Sequence, residues 1–308
     1  MPSTEPTPAR LKLGIIITLI AGLFFAAASA LVYNFRGRFP TIQIIFIQNI
    51  VSLICIFPLA IRKGFKHLKT NELPVHLMRD TMGVASYFLY FLAIRYLNLV
   101  DATTLNYTAP FFIPLIWLVW QKERIQRSVW WSIVVGFIGV ALILNPSKNI
   151  FQLGFLYGIS SGVMSALALA ALRVLNVKHE PMRRTLFYYF SVGTLLSFPF
   201  AWAVWVQPIA EEWILAAGIG MATALAQVLL TIAYRYGTAS FLSPLSYIGV
   251  IYSALIAYFA FGQEMGWQSW IGAAFIIIGG TMTYIFKKQP QTVLETFEQP
   301  PQKKNPPL

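Results

Sequence analysis

Polar and aromatic side chains that interrupt long apolar stretches are the residues of this sequence best suited to bind a solute. They offer amides, hydroxyls and rings rather than charges. Amides and hydroxyls form hydrogen bonds with a ligand, and aromatic faces hold flat or cationic groups by stacking and cation–π contacts. The residues predicted to line a substrate site are Gln48, Asn49, Tyr87, Tyr90, Asn106, Tyr107, Ser165, Gln227, Ser246 and Tyr247. The alternative for each is a hydrogen bond between helices, worth on average about 0.6 kcal/mol in one well-studied membrane protein.

Charged groups are absent from the apolar runs themselves, which contain no Asp, Glu, Lys, Arg or His. Ionisable residues inside a membrane usually mark ion or proton pathways. Their absence favours exchange or facilitated diffusion over proton coupling. Asp80, Asp101 and Glu264 stand at the margins of runs, where a carboxylate can still titrate.

A gate and a hinge are the next features that the sequence suggests. Pro110 and Pro114 fall in the fourth run and predict a kink, which serves either as a hinge or as a static bend. Arg79 and Asp80 precede the third run, and Glu123, with Arg124 beside it, follows the fourth. These charges are candidates for an ion-pair gate on one face of the membrane, although Asp80 as a helix cap is the simpler alternative.

The elements that must position these residues are transmembrane helices. The chain is 57% hydrophobic and only 11% charged, with mean hydropathy +0.64. A membrane-spanning helix needs roughly 20 apolar residues, and in hydrocarbon only helices and closed barrels satisfy their backbone hydrogen bonds. We predict an all-α membrane protein with ten spans, at about 13–34, 41–61, 81–94, 102–121, 128–147, 150–172, 185–206, 213–234, 240–261 and 265–286.

An internal repeat divides these spans into two groups of five. Arg95-Tyr96 returns 140 positions later as Arg235-Tyr236, and Tyr107 returns as Tyr247. Five crossings are an odd number, so the second copy must enter the membrane inverted, as in many secondary transporters. The predicted domains are a tail at 1–12, repeats at 13–147 and 148–286, and a disordered tail at 287–308.

Two helices of this scheme have predicted packing roles. Gly154, Gly158 and Gly162 form a face of small residues that permits close helix contact, either within the chain or in a dimer seam. The fifth span, apolar apart from Ser132, suits a peripheral position facing lipid. The chain is therefore expected to be a monomer or a homodimer.

The distribution of basic residues predicts the orientation. With the N-terminus in the cytoplasm, 19 of the 23 Lys and Arg residues fall on the cytoplasmic side, so both termini are predicted there. The net charge of +12 is spread over short loops, which argues against nucleic-acid binding. Arg10 and Lys12 before the first apolar run also fit a signal peptide, but the repeat requires this helix.

The first half resembles the EamA-type carriers of the drug/metabolite transporter superfamily. The resemblance rests on Asp101-Ala-Thr, Tyr107-Thr-Ala-Pro110, Glu123-Arg124, Trp130, Gly136, Gly139 and Pro146. The second half departs from the pattern, with Phe241 in place of Asp101 and Val250 in place of Pro110. The resemblance implies a carrier of small organic solutes in a bacterial inner membrane, with a lipid-facing tenth helix. The stretch 176–200 is also similar to S-adenosylmethionine carriers.

Other classes of function fit the sequence less well. No HExxH or P-loop motif is present, Cys55 has no partner for a disulfide, and His67, His76 and His179 lie in predicted loops. We therefore expect neither an enzyme nor a pump driven by ATP, and no cofactor or metal. The predicted function is secondary transport of an amino acid or an amino-acid derivative. The alternatives are a carrier of S-adenosylmethionine or another nucleoside or vitamin-type cofactor, and a scaffold or receptor that moves no solute.

Overall fold

The computed structural model describes residues 8–62, 64–120, 127–144, 153–233, 236, 245, 247–263 and 266–286. The candidate residues Glu123, Ser246 and Glu264 lie outside these ranges, as does the predicted tail from 287. Within the described residues the chain forms α-helices and short 3-10 turns and contains no strand. The predicted all-α class is confirmed.

Eleven α-helices make up the described fold. They are α1 (Pro8–Asn34), α2 (Thr41–Ile61), α3 (Leu73–Tyr96), α4 (Leu99–Asn106), α5 (Ala109–Trp120), α6 (Arg127–Leu144), α7 (Leu153–Val177), α8 (Met182–Ala203), α9 (Ala210–Ala233), α10 (Ile248–Phe261) and α11 (Trp267–Phe286). A 3-10 helix at Phe65–Leu68 lies between α2 and α3.

Five of the described helices are long and apolar enough to cross a membrane, namely α1 from Lys12, α2, α7, α8 and α9. The described apolar parts of α6 and α10 are shorter. Helix α3 has 24 residues, but it contains His76, Arg79, Asp80 and Arg95 in addition to its apolar run.

Helix pairing is symmetric between the two parts of the chain. Helix α3 packs along α7, and α1 packs in the same way along α9. The remaining large contacts join α2 to α8 and α6 to α11. Helices α2 and α8 run antiparallel, since Gln43 near the start of α2 contacts Val206 after α8, while Arg184 near the start of α8 contacts His67 after α2.

The small-residue face of α7 packs inside the chain, as one of the two sequence hypotheses proposed. A Cβ atom on Gly158 would lie 2.7 Å from Leu105 Cδ1, and one on Gly154 would lie 2.7 Å from Leu97 Cγ. Gly162 lies directly against the Thr108 hydroxyl. These glycines let α7 approach the end of α3 and the junction between α4 and α5.

Helix α6 presents one face to α11 and the other outward. A Cβ atom on Gly139 would lie 2.5 Å from the backbone oxygen of Gly272, so the two backbones touch. On the opposite face Trp131 is 67% exposed, and Trp130, Val134 and Ile138 are also exposed. This arrangement agrees with the peripheral, lipid-facing position expected for the fifth span and its counterpart.

The fourth predicted span is interrupted, which corrects the prediction of one helix over 102–121. Helix α4 ends at Asn106, and α5 begins at Ala109. Pro110 has no N–H to donate to the Asn106 carbonyl, four residues earlier. The Leu105 carbonyl accepts from both the backbone N–H and the hydroxyl of Thr108, at 3.1 and 2.6 Å. Pro114 lies inside α5 without ending it.

Candidate functional site

Asn106, the last residue of α4, joins three helices. Its amide nitrogen donates to the Ser161 hydroxyl on α7 at 3.0 Å and lies 3.5 Å from the Ser86 hydroxyl on α3. Ser86 in turn donates to the Ser161 carbonyl at 2.9 Å. The predicted Ser165 is half-buried one turn further along α7, so Ser161 is the serine that meets Asn106. The sequence hypothesis missed Ser161 because it lies in the glycine-rich face assigned to packing.

The tyrosines of α3 connect this group to other helices. The Tyr90 hydroxyl lies 2.8 Å from Thr103 Oγ1 on α4 and also interacts with Ser29 on α1. The hydroxyl of the half-buried Tyr87 interacts with the Gln227 amide on α9 and lies near Tyr107 and Tyr189. The structure therefore brings together Tyr87, Tyr90, Tyr107 and Gln227, four of the predicted site residues.

Tyr107 and Tyr247 meet although 140 positions separate them in the sequence. Their ring centroids are 5.7 Å apart, with an angle of 46° between the planes. Each tyrosine lies just before a helix start, because Tyr107 is two residues before Ala109 of α5 and Tyr247 is one residue before Ile248 of α10. The Tyr107 hydroxyl lies against Gly249, and the Tyr247 hydroxyl lies against Gly280. The equivalent residues of the sequence repeat thus contact each other across the boundary between its two copies.

Gln48 and Asn49 lie elsewhere, where α2 packs on α8 and α9. The Asn49 amide donates to the Ile45 carbonyl at 2.8 Å and its side chain lies against Gly193. Gln48 is buried, and its amide oxygen has no hydrogen-bond partner among the described residues. No hydrogen bond of the described residues connects these two amides to Asn106 or to the tyrosines.

Arg79 and Asp80 form a buried ion pair inside α3. The Arg79 Nη1 lies 3.0 Å from Asp80 Oδ1, and the residues are only 6% and 0% exposed. Asp80 is not a helix cap, because α3 begins at Leu73, two turns earlier. The helix extends beyond the apolar run, which corrects the sequence-based position of these charges at the helix start.

Tyr189 on α8 is a site residue that the sequence hypothesis missed. The Arg79 guanidinium lies 4.1 Å from the centre of its ring, within cation–π range. Tyr189 is 3% exposed and occurs in the aromatic stretch Phe187–Phe190. Such a stretch suggests core packing, and no sequence signal distinguishes this ring from its neighbours.

A polar network ties the α2–α3 connection to the α7–α8 connection. We call this the end network; its members are Thr70, Glu72, His76, Lys178, Glu180 and Arg184. The Glu180 carboxylate accepts from the Thr70 hydroxyl and from Arg184 Nη1, each at 2.8 Å, and lies 3.3 Å from His76 Nε2. Lys178 Nζ pairs with Glu72 at 2.6 Å.

The electrostatics of Glu180 follow from these contacts. Partial burial by itself raises the pKa of the carboxyl group, but hydrogen bonds from Arg184, Thr70 and His76 outweigh burial, so its pKa is lowered. Glu180 is therefore held as a carboxylate that links the two parts of the chain.

A second set of contacts joins the two parts of the chain at the opposite end of the helix bundle. Arg38, between α1 and α2, pairs with Glu212 on α9 at 2.9 Å. The Gln43 amide exchanges two hydrogen bonds with the backbone of Val206, at 2.7 and 2.9 Å. We call Arg38, Gln43, Val206 and Glu212 the opposite-end clasp.

A sequence profile of the EamA-like transporter family matches this chain twice, over residues 12–145 and 152–285. The chain belongs to the EamA-like transporter family. Residues 146–151 separate the two matched stretches.

Among curated relatives, the pseudopaline exporter CntI of Pseudomonas aeruginosa strain UCBPP-PA14 is 30% identical over 89% of this chain and 94% of the relative. The riboflavin transporter of Vibrio cholerae is 26% identical over 86% and 90% of the two chains. The S-adenosylmethionine uptake transporter of Rickettsia bellii is 28% identical over 88% and 92%.

A solved crystal structure supports the same fold. It superposes with a TM-score of 0.61 at 18% identity, covering 94% of this chain and 99% of the other. Membership of the EamA-like family and the transporter relatives identify the chain as a multi-pass membrane transporter of small molecules.

Proposed function

We propose that this EamA-like protein is a secondary carrier that moves a small organic metabolite across a bacterial inner membrane by alternating access. The proposed cargo is an amino acid or an amino-acid derivative. The contact between Tyr107 and Tyr247 carries the proposal, because these residues hold equivalent positions in the two proposed repeats and their ring centroids are 5.7 Å apart. Two such repeats have two related packings, each open to one side of the membrane.

An inverted arrangement of ten spans, with repeats at 13–147 and 148–286 and both termini in the cytoplasm, forms part of this proposal. Helices α2 and α8 occupy the same position in their repeats and run antiparallel. Exchanging the two repeats converts the α1–α9 pairing into the α7–α3 pairing. The antiparallel direction of α2 and α8 supports an inverted relationship between the halves, and the exchange of pairings supports a two-fold correspondence between them.

The proposed cargo site comprises Asn106, Tyr87, Tyr90, Gln227 and the Tyr107–Tyr247 pair. Interrupted helices bring free backbone groups to the depth of the substrate in many carriers. Here the interruption between α4 and α5 adjoins Asn106 and Tyr107. Gln48, Asn49, Ser165 and Ser246 remain predicted lining residues.

The two ends of the bundle supply the proposed gates. The end network and the opposite-end clasp each join the first repeat to the second. Alternating access requires that one of these sets opens while the other holds. Pro110, at the helix interruption, is the proposed hinge.

The test is uptake into liposomes that contain the purified protein, using a panel of labelled amino acids, S-adenosylmethionine, riboflavin and nucleosides. Saturable uptake or counterflow of any member supports the carrier. A pH gradient imposed in parallel distinguishes proton coupling from exchange or facilitated diffusion. A scaffold or receptor predicts no flux of any compound in either direction, even with each compound loaded inside.

A carrier of S-adenosylmethionine or a related cofactor is the second candidate. The relatives named as S-adenosylmethionine uptake transporters and the similarity at residues 176–200 favour it. The cluster of tyrosine rings also suits a flat ring or a cation. Uptake of S-adenosylmethionine that free amino acids fail to inhibit would select this alternative.

A further inference from the structure

One oxygen of the Asp80 carboxylate lacks a hydrogen-bond partner among the described residues. Asp80 Oδ1 pairs with Arg79, whereas Oδ2 is buried and accepts no hydrogen bond from any described residue. A buried charged group that lacks a hydrogen bond is costly, and a bound ligand, ion or water commonly supplies the missing partner. The free oxygen therefore marks a position for a hydrogen-bond donor.

The Arg79 guanidinium has unused donors. It carries five N–H groups, and within the described structure it makes one hydrogen bond, to Asp80. Its planar face lies on the ring of Tyr189 at 4.1 Å from the centroid. This contact fixes the plane of the guanidinium while its edge stays available for a carboxylate.

These charges adjoin the proposed cargo site. The Tyr189 hydroxyl interacts with both Arg79 and Asp80, and Tyr189 also lies near Tyr87 of the cargo site. Gly83, one turn along α3 from Arg79 and Asp80, leaves room for this ring, since a Cβ there would lie 2.7 Å from Tyr189 Cε2. The ion pair, Tyr189 and Tyr87 thus form a continuous group along the α3–α8 side.

We propose that Arg79 and Asp80 select a zwitterionic cargo, with Arg79 binding its carboxylate and Asp80 Oδ2 accepting its ammonium group. The inference rests on the proposed carrier function and narrows its cargo to compounds that carry both groups. The ion pair and the zwitterion are each neutral overall, so binding leaves no uncompensated charge in a low-dielectric site. A cargo with a carboxylate alone leaves Asp80 Oδ2 without a donor, and one with an amine alone leaves the remaining Arg79 N–H groups without an acceptor.

The experiment compares matched competitors of labelled amino-acid uptake in proteoliposomes. For each amino acid that is transported, the competitors are the unlabelled zwitterion, its N-acetyl form and its carboxamide. For the wild-type protein we expect both blocked forms to inhibit at least about tenfold less well than the zwitterion, as the loss of a charge-assisted hydrogen bond predicts. Equal inhibition by all three forms would overturn the inference.

Two variants test the roles of Asp80 and Arg79 separately. Asp80→Asn should remove the discrimination against the N-acetyl form, and Arg79→Gln should remove the discrimination against the carboxamide. A matched control is Asp101→Asn, because Asp101 is a carboxylate on α4 that interacts with Ser269 instead. A purely structural ion pair predicts lower uptake in both variants with the wild-type selectivity unchanged, and this result also counts against the inference.

The failure of this inference is distinguishable from the failure of the carrier function. Flux of only uncharged compounds such as nucleosides keeps the carrier and overturns the zwitterion site. Absence of flux for every compound overturns the carrier, and the inference with it. If Asp80→Asn does not fold, the competitor series on the wild-type protein tests the inference by itself. Asp80→Glu keeps the carboxylate and should still discriminate against the N-acetyl form.

Discussion

At the scale of single residues, the site is defined by which polar groups meet rather than by which are present. Asn106 reaches Ser161 and Ser86, and Gln227 reaches Tyr87, whereas Asn49 turns back to its own helix. Amides that connect several helices at the α4–α5 interruption can exchange these partners for a ligand. The Asn49 amide already has a hydrogen-bond partner in its own helix, so it does not depend on a ligand or on another helix for one.

The first prediction concerns these two amides. Asn106→Ala and Gln227→Ala should each lower the rate of uptake about tenfold or more, because each removes hydrogen bonds that a charged or polar cargo needs. Uptake in proteoliposomes, normalised to the folded protein recovered by gel filtration, measures the effect. Asn98→Ala, at an exposed position before α4, is the control and should leave uptake unchanged. Normal flux in both Asn106→Ala and Gln227→Ala would remove these residues from the site.

At the scale of elements, the interruption between α4 and α5 decides where the site lies. The chain leaves the α-helical hydrogen-bond pattern at Thr108, whose N–H donates to the Leu105 carbonyl, and α7 accommodates the junction through Gly162. In the second repeat α10 likewise begins next to Tyr247, although Val250 stands where the first repeat has Pro110. Proline alone therefore does not explain why helices start at both positions.

The second prediction tests the hinge at this element. Pro110→Ala restores an N–H at the junction and should favour continuation of α4 into α5, lowering the uptake rate while preserving or raising thermal stability. Slower hydrogen exchange of the amides at 107–112, together with reduced uptake, would be the expected pair of results. Pro58→Ala in α2 is the matched control, because Pro58 lies inside a continuous helix. Unchanged uptake in Pro110→Ala would indicate a static bend.

At the scale of the whole molecule, the ion pairs that join the repeats in the described structure lie at the two ends of the bundle. The end network connects the α2–α3 and α7–α8 connections, and the opposite-end clasp connects the α1–α2 and α8–α9 connections. Both sets contain ion pairs between segments more than 100 residues apart in sequence. Polar contacts at bundle ends break and re-form at lower cost than packed apolar surfaces, which suits parts that must open.

The third prediction is a pH dependence of stability that originates at Glu180. Because the folded state lowers the pKa of this carboxyl group, its contribution to stability is present above its ordinary pKa of about 4.3 and is lost as the pH falls through the lower folded value. Glu180→Gln should therefore be less stable than the wild-type protein at pH 7, and the difference should shrink below about pH 4. Melting temperatures measured between pH 3.5 and pH 7.5 test the prediction.

Glu211→Gln is the control for that measurement, because Glu211 is exposed at the start of α9. Its melting temperature should equal that of the wild-type protein at every pH. A constant difference between Glu180→Gln and the wild-type protein across the whole range would show that the charge of Glu180 contributes nothing.

The sequence by itself determined the all-helical membrane class, the family and the correspondence between Tyr107 and Tyr247. These follow from apolar run length, motif and repeat, which are local or periodic properties of the chain. Only the tertiary structure placed Tyr189 under Arg79, buried Asp80 within α3, separated Asn49 from Asn106 and assembled the contacts of Glu180. Those features depend on which helix faces meet, and an apolar sequence leaves that choice open because many faces are equally hydrophobic.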